Sequence, residues 1–232
     1  MTRELRPGSI CWVGLATSDP SAAQPFYEQL FGWESQDRGD FSLLRRDGRA
    51  VAILYRQTPQ ARRAGVRPHW TTFVLTSDAG ETAGRAGELG GAAVFRAPFS
   101  VGEDGLVAAI RDPVGAQLSL WEPGARRGAE LFDVAGALSY AELTTEDPER
   151  SRDFYAALFG WTIDGAAVET GGPIGAVLSS RPDAPEWLPW FRVQDVDAAI
   201  EAVTRERGML VASRPSGAVL GDPQGASFGV TA

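Results

Sequence analysis

Few side chains in this sequence have the chemistry of a catalyst or of a metal ligand. All 22 basic residues are arginines, and the chain has one histidine, His69, one cysteine, Cys11, and no lysine or asparagine. The absence of lysine excludes a Schiff base and a P-loop lysine. A single cysteine excludes thiolate zinc sites and an internal disulfide, and we expect Cys11 to be structural. One histidine cannot supply a two-histidine metal site, so any metal would have to rest on carboxylates.

The candidates for acid–base chemistry are Glu142, Tyr140 and His69, with Arg192 as a fixed positive charge. Burial in an apolar cavity raises the pKa of a carboxyl group toward neutrality, which would suit Glu142 to the role of general base. Tyr140 could donate a hydrogen bond to a carbonyl, and Arg192 could hold an oxyanion or enolate. Each has a plainer alternative. Glu142 and Arg192 could pair with each other, and Tyr140 could be an aromatic wall. His69 could be a hydrogen-bonded structural residue rather than a base.

These side chains lie in a tandem repeat. The segment WVGLATSDPSAAQPFYEQLFGW at 12–33 matches YAELTTEDPERSRDFYAALFGW at 140–161, with Asp-Pro, Phe-Tyr and Leu-Phe-Gly-Trp recurring at a constant offset of 128. Later, DPVGAQLSLW from Asp112 matches DPQGASFGVT from Asp222 at an offset of 110. Landmarks that recur in the same order indicate homologous modules. The predicted organisation is a first module at 1–122, a linker at 123–135 and a second module at 136–232.

Each module has the pattern of two βαβββ motifs. After a first strand, Asp19 caps a helix that Pro20 begins and Gly32 ends. A hairpin with Asp47-Gly48 as its turn follows. The apolar face of this helix consists of Phe26, Leu30 and Phe31. The further elements predicted in this module are strands over 69–76, 92–96, 106–111 and 116–121 and a helix over 79–89.

The combined motifs resemble the vicinal oxygen chelate superfamily, which includes glyoxalase I, bleomycin-resistance proteins and extradiol dioxygenases. The resemblance rests on a strand entering Asp-Pro, a helix with FYxxLFGW and a later D-P-x-G before a strand, and it covers nearly the whole chain, twice. It is strongest to tandem actinobacterial members labelled glyoxalase-like or hydroxylase. It implies an α+β fold in which paired βαβββ motifs form curled mixed sheets, with helices outside and concave ligand cavities. It does not specify the chemistry, because this fold hosts several.

The resemblance also implies where a metal would bind, namely to a histidine on the first strand of a motif and a glutamate on its last. Those positions carry other residue types in this sequence. They are Trp12, Thr71, Ser119, Tyr140, Leu188 and Gly229. Divalent-metal chelation needs three or four converging nitrogen or oxygen donors. We therefore expect no metal and no cofactor, which argues against glyoxalase I and extradiol dioxygenase activities.

Strand alternation predicts which side chains line the cavities, because Val13 and Leu15 would face the helix and the opposite parity the concave face. The predicted substrate-binding residues are Trp12, Phe73, Gln117, Trp121, Trp190 and Arg192, beside the catalytic candidates Tyr140, Glu142 and His69. Large flat side chains in a cavity suit a planar apolar ligand. A further cluster, Arg62, Arg63 and Arg67, is placed in a loop before the strand at 69, either solvated or at the cavity rim.

Three functions fit this pattern. The first is a metal-independent enzyme that acts on a planar aromatic or polyketide-type natural product, by cyclisation, rearrangement or oxygenation, through acid–base chemistry. The second is a resistance protein that sequesters a drug without catalysis, and the third is an accessory ligand binder. The charged and phenolic groups favour the enzyme, because sequestering a flat hydrophobe gains little from buried charge.

Charge and hydropathy limit the partners. The formal net charge of −8 argues against nucleic acid, since no basic stripe would neutralise phosphates. No apolar run has the length of a signal peptide core or of a membrane span. We therefore expect a cytoplasmic monomer or homodimer whose partner is a small aromatic molecule.

Overall fold

The structure, a computed structural model, describes residues 4–172, 175–180 and 185–232. In this part the first module contains β1 (Ile10–Thr17), α1 (Pro20–Phe31), β2 (Glu34–Asp37), β3 (Phe41–Arg46), β4 (Arg49–Arg56), α2 (Pro59–Arg63), β5 (His69–Leu75), α3 (Ala79–Glu88), β6 (Ala92–Ala93), β7 (Phe99–Val101), β8 (Gly105–Arg111) and β9 (Gln117–Pro123). The second contains β10 (Leu138–Thr145), α4 (Pro148–Phe159), β11 (Thr162–Asp164), β12 (Ala167–Glu169), β13 (Ala176–Ser180), β14 (Glu186–Arg192), α5 (Val196–Arg205), β15 (Met209–Arg214), β16 (Gly217–Gly221) and β17 (Ser227–Thr231).

The strands form two mixed sheets, one from each module. The first sheet has the order β2-β3-β4-β1-β5-β9-β8-β6, with β7 also paired to β8, and the second has the order β11-β12-β13-β10-β14-β17-β16-β15. In both sheets the first strand of a motif runs parallel to its neighbour, as β1 does to β4 and β10 to β13, and the hairpins are antiparallel. The predicted α+β class of repeated βαβββ motifs is confirmed. No helix in the described ranges is both long and apolar enough to cross a membrane.

Local signals set the ends of the first helix. The Asp19 carboxylate accepts hydrogen bonds from the amides of Ser21 and Ala22, and Gly32 adopts the left-handed conformation at the C-terminal end, with φ of 66°. One buried position differs from the sequence prediction. Leu30, predicted as buried, is only half-buried, because Tyr27 takes the fully buried place on that face.

The arginine cluster before β5 also differs from its prediction. Arg62 and Arg63 end the short helix α2 rather than lying in a loop, because Thr58 caps that helix and Pro59 begins it. All three arginines of the cluster are exposed. Solvation of this cluster was one of its two predicted roles.

The compact units of the molecule combine pieces of both modules. Unit 1 comprises Met1–Trp12, Thr72–Gly128 and Tyr140–Trp187, and unit 2 comprises Val13–Thr71, Ala129–Ser139 and Leu188–Ala232. Each unit therefore joins one βαβββ motif from each module. The paired motifs bury a common core that a single small sheet could not bury alone.

The tryptophan of each Leu-Phe-Gly-Trp motif links the two modules within a unit. In unit 2 the Trp33 indole donates to the Gly136 carbonyl oxygen at 2.6 Å. In unit 1 the Trp161 indole donates to the Gly8 carbonyl oxygen at 2.7 Å. The exchange is reciprocal, since each module's tryptophan binds the backbone that leads into the other module's first strand. A repeated sequence motif thus serves assembly of the fold.

Candidate functional site

In unit 1, helix α4 covers one face of β10, and the concave face is the opposite one. On β10, Thr145 lies with its hydroxyl 3.0 Å from that of Ser151 on α4. Because side chains alternate along a strand, Tyr140, Glu142 and Thr144 point to the opposite face. This is the parity that the sequence predicted.

Glu142 is a buried carboxylate on that face. Glu142 is only 7% exposed, and the Ser179 hydroxyl donates a hydrogen bond to its Oε1 at 2.7 Å. Ser179 lies on β13, which pairs in parallel with β10. Tyr140 and Ser179 are half-buried, so solvent reaches the face beside the carboxylate. The buried carboxylate is therefore held beside two side chains that are partly accessible to solvent.

The other buried acids of the described residues, Asp112 and Asp222, have structural roles. Asp112 Oδ1 accepts hydrogen bonds from the amides of the three residues that follow Pro113, at 2.7 to 2.9 Å. Asp222 Oδ1 accepts equivalent bonds from Gln224 and Ala226 at 2.9 and 2.8 Å. Each aspartate thus closes its own D-P-x-G turn. Glu142 is on a strand and closes no turn.

These aspartates also anchor the tyrosines of the Phe-Tyr motifs, a role that sequence reasoning missed. In unit 2 the Tyr27 hydroxyl donates to Asp222 Oδ2 at 2.9 Å and accepts from the Trp70 indole at 3.1 Å. In unit 1 Tyr155 is hydrogen-bonded to Asp112 and accepts from the Trp187 indole at 2.9 Å. The signal for these contacts was the recurrence of Phe-Tyr and Asp-Pro in both modules.

Burial shifts the pKa values of these groups upward. Desolvation raises the pKa of Tyr27 and of Tyr155 well above 10, and the neighbouring aspartate charge raises each further. Desolvation also raises the pKa of Asp222 above its ordinary value, against the lowering effect of its hydrogen bonds. The phenols of these two networks are therefore neutral and structural near pH 7.

Three of the predicted binding residues form an aromatic cluster in unit 1. Trp12, Phe73 and Trp121 are 2 to 3% exposed. The Trp12 and Trp121 rings are nearly parallel, with centroids 6.4 Å apart, and the edge of Phe73 meets Trp121 at the same distance. The Trp12 indole nitrogen is buried and has no hydrogen-bond partner in the described part of the chain. Gln117, on the same face of β9, is half-buried.

The remaining predicted site residues belong to unit 2. The Arg192 guanidinium donates to Asp133 at 2.8 Å, which is its ion pair among the described residues. His69 Nδ1 lies 2.9 Å from the Arg67 carbonyl oxygen, two residues back along the chain. Trp190 is 1% exposed. His69 thus lies in a different unit from Tyr140 and Glu142, and its ring is held by its own segment.

The positions at which the fold family would place metal ligands do not fit a metal in this structure. They present indole, hydroxyl, phenol, isobutyl and hydrogen side chains. At Gly229 even a Cβ would overlap the Trp190 ring. Within the described residues, no group of three His, Cys, Asp or Glu side chains could hold a metal ion.

Comparisons with known proteins agree with this fold. The sequence profile of the glyoxalase/bleomycin resistance protein/dioxygenase superfamily matches residues 9–120. CFP32 of Mycobacterium tuberculosis, which is named as a provisional glyoxylase, is 33% identical over 251 residues, covering 98% of this chain and 95% of its own. The anthracycline biosynthesis protein DnrV of Streptomyces peucetius is 30% identical over 266 residues, covering 99% and 94%.

Solved structures show the same fold at low identity. The Mn(II)-bound glyoxalase from Novosphingobium aromaticivorans superposes with a TM-score of 0.66 at 13% identity, over 97% of this chain and 82% of that one. Homoprotocatechuate 2,3-dioxygenase from B. fuscum gives a TM-score of 0.66 at 13% identity, over 100% and 72%. The profile matches the first half of the chain and the relatives match nearly all of it, so the chain belongs to the glyoxalase/bleomycin resistance protein/dioxygenase superfamily.

Proposed function

We propose that the chain is a metal-independent enzyme that acts on a planar aromatic or polyketide-type natural product at the concave face of unit 1. The observation that carries this proposal is Glu142, a buried carboxylate held by Ser179 on a partly open face and not used to close a turn. Support for the substrate class comes from DnrV and from DauV of Streptomyces sp., relatives named for anthracycline biosynthesis.

The chemistry would be proton transfer to Glu142. An ionised carboxylate is an acceptor, and Glu142, oriented by Ser179 at Oε1, would take a proton from a C–H or O–H group acidified by an adjacent carbonyl. Tyr140 lies two residues earlier on the same face, where its phenol would stabilise the resulting enolate oxygen. The Trp12, Phe73 and Trp121 cluster would form the apolar side of the substrate site.

Metal independence is part of the same proposal. Its support is the donor set, because the residues at the family's ligand positions offer no imidazole and no carboxylate. A substrate oxygen would then be stabilised by hydrogen bonds rather than by a divalent ion.

The test is the substitution Glu142→Gln, which keeps the shape of the side chain and removes its basicity. Ligands are first found by tryptophan-fluorescence quenching with a panel of hydroxylated planar polyketide-type aromatics, and turnover is then followed by mass spectrometry. We expect turnover to fall by about 100-fold or more, with affinity within a few-fold of wild type. Glu146→Gln, at an exposed glutamate just after β10, is the matched control and should retain turnover. Full turnover by E142Q would reject the assignment.

Sequestration without catalysis is the second candidate, and the buried aromatic cluster of unit 1 favours it. A binder needs an aromatic lining, which that cluster would supply, and no basic group. In that case E142Q would protect a sensitive host cell from a bound drug as well as wild type does, and Trp12→Ala would fail to protect. If the chain is an enzyme, E142Q itself should lose turnover.

A further inference from the structure

Four strand positions on the concave face of unit 2 carry very small residues. Gly14 and Ala16 on β1 occupy the positions that carry Glu142 and Thr144 on β10, at the offset of 128. Gly217 and Gly229 lie on the neighbouring strands β16 and β17. No acid, base or phenol projects from these four positions. The chemistry proposed for unit 1 therefore has no counterpart on these strands.

Trp190 points onto this face. Its neighbour Phe191 packs against Phe31 on α1, with ring centroids 4.9 Å apart, so Phe191 faces the helix and Trp190 the opposite side of β14. A Cβ at Gly229 would overlap Cδ2 and Cε2 of the indole and lie 2.6 Å from Cε3. A Cβ at Gly217 would lie 2.9 Å from Cζ3, besides overlapping the Val230 carbonyl oxygen. The indole thus lies flat across two strands on glycine backbone.

The matching places in unit 1 hold no such pair. At the offsets of 117 and 110, Trp190, Gly229 and Gly217 correspond to Phe73, Ser119 and Val107. Unit 2 thus has a two-ring side chain against two glycines, where unit 1 has a one-ring side chain and two ordinary residues. Packing to normal interior density needs one partner large where the other is small.

We infer that Trp190 is the built-in occupant of unit 2, its ring lying where a planar ligand would otherwise lie. Unit 2 is thereby closed to ligands. If the proposed function holds, the chain then binds one natural ligand, in unit 1. Removing the indole would open a latent site for an uncharged, planar heteroaromatic of indole size, because an apolar cavity made by truncation stays dry and accepts an aromatic guest.

The experiment uses the full chain, indole as the probe, and the variants Trp190→Ala and Trp190→Ala/Gly229→Leu. Indole should raise the melting temperature of W190A saturably and bind at one site per chain by calorimetry. It should do neither with wild type or with the double variant, whose leucine refills the space. Binding of indole to wild type as tightly as to W190A, or a folded W190A without a saturable site, would overturn the inference.

A second measurement covers the case in which W190A does not fold. Gly229→Ala should melt well below wild type, because its methyl group meets the indole ring. Gly221→Ala on β16 should melt close to wild type, because its methyl group meets the flexible side chain of Met209. Equal melting temperatures for these two variants would contradict the packing that the inference needs. The indole results should be the same in a Glu142→Gln background, so failure of the proposed function would leave this test intact.

Discussion

At the scale of single residues, the motifs that reveal the family are structural. In the interior, the Tyr27 hydroxyl donates a hydrogen bond to Asp222 and accepts one from the Trp70 indole. Each would be a costly buried polar group if left alone, by about 1 to 3 kcal/mol. The proposed chemistry rests instead on a residue that these motifs do not use, Glu142.

Stability should fall in alkaline solution for a reason visible in the composition. The chain has no lysine, so tyrosines and Cys11 are the side chains that titrate between about pH 8 and 11 in the unfolded chain. Burial raises the folded-state pKa of Tyr27 and Tyr155, while the unfolded chain ionises them near 10. Above that pH the folded state holds more protons than the unfolded state, so the free energy of unfolding decreases as pH rises.

Tyr27→Phe should reduce that decrease by about 1.4 kcal/mol per pH unit above pH 10, and Tyr155→Phe by a similar amount. The measurement is urea denaturation at a series of pH values from 8 upward to about 11.5. Both variants will be less stable at pH 8, since each removes a buried hydrogen bond, but their curves should be flatter. An unchanged slope in both variants would show that the phenols titrate normally.

Residue type and strand parity placed Glu142 and Tyr140 correctly on one face. They could not show that Tyr27 is a polar anchor, because its partner is 195 residues away. Nor could they show that Arg192 pairs with Asp133, since the segment before β10 carries no periodic pattern. Local sequence gives a side chain's direction, whereas its long-range partner depends on the folded topology.

At the scale of elements, turn and cap chemistry predicted most of the structure. Asp47 and Gly48 have φ of 50° and 73°, as a two-residue hairpin turn requires. The capped helices and most strands lie within a residue or two of their predicted bounds. The strand predicted over 92–96 contains only β6, at Ala92–Ala93, although the Val94 amide still donates to the Ala109 carbonyl oxygen on β8 and pairing with β8 resumes at β7. Edge strands are held on one side, and sequence alone bounds them poorly.

The two helix-ending glycines offer a matched test of element stability. Gly32 and Gly160 both adopt left-handed φ, 66° and 69°. A Cβ at Gly160 meets nothing within 4 Å, so Gly160→Ala should cost only the left-handed strain of about 1 to 2 kcal/mol. Gly32→Ala should cost more, because its Cβ lies 2.8 Å from Nη1 of Arg46, the group that donates to the Phe31 carbonyl oxygen.

Chemical denaturation of the two glycine variants measures the difference. Arg46→Ala supplies the control, since in its background the two substitutions should cost the same. A larger loss from G160A than from G32A would contradict the described capping geometry.

At the scale of the whole molecule, the repeat in the sequence predicts two modules but not how they combine. Each compact unit takes one motif from each module, and the ties are reciprocal, Trp33 to Gly136 in one unit and Trp161 to Gly8 in the other. Sequence periodicity cannot supply this exchange, because it shows which motifs repeat and not which of them pack together. The two units are also unequal, with Glu142 in unit 1 and Trp190 over glycine in unit 2.

The most direct test of the central claim is turnover by exhaustively chelated protein. The protein is dialysed against a strong chelator, its metal content is measured by elemental mass spectrometry, and conversion of the ligand found by fluorescence quenching is compared before and after. The account predicts far less than one divalent ion per chain and unchanged turnover that still depends on Glu142. One tightly held ion per chain, or turnover lost with the metal and restored by adding it back, would contradict it.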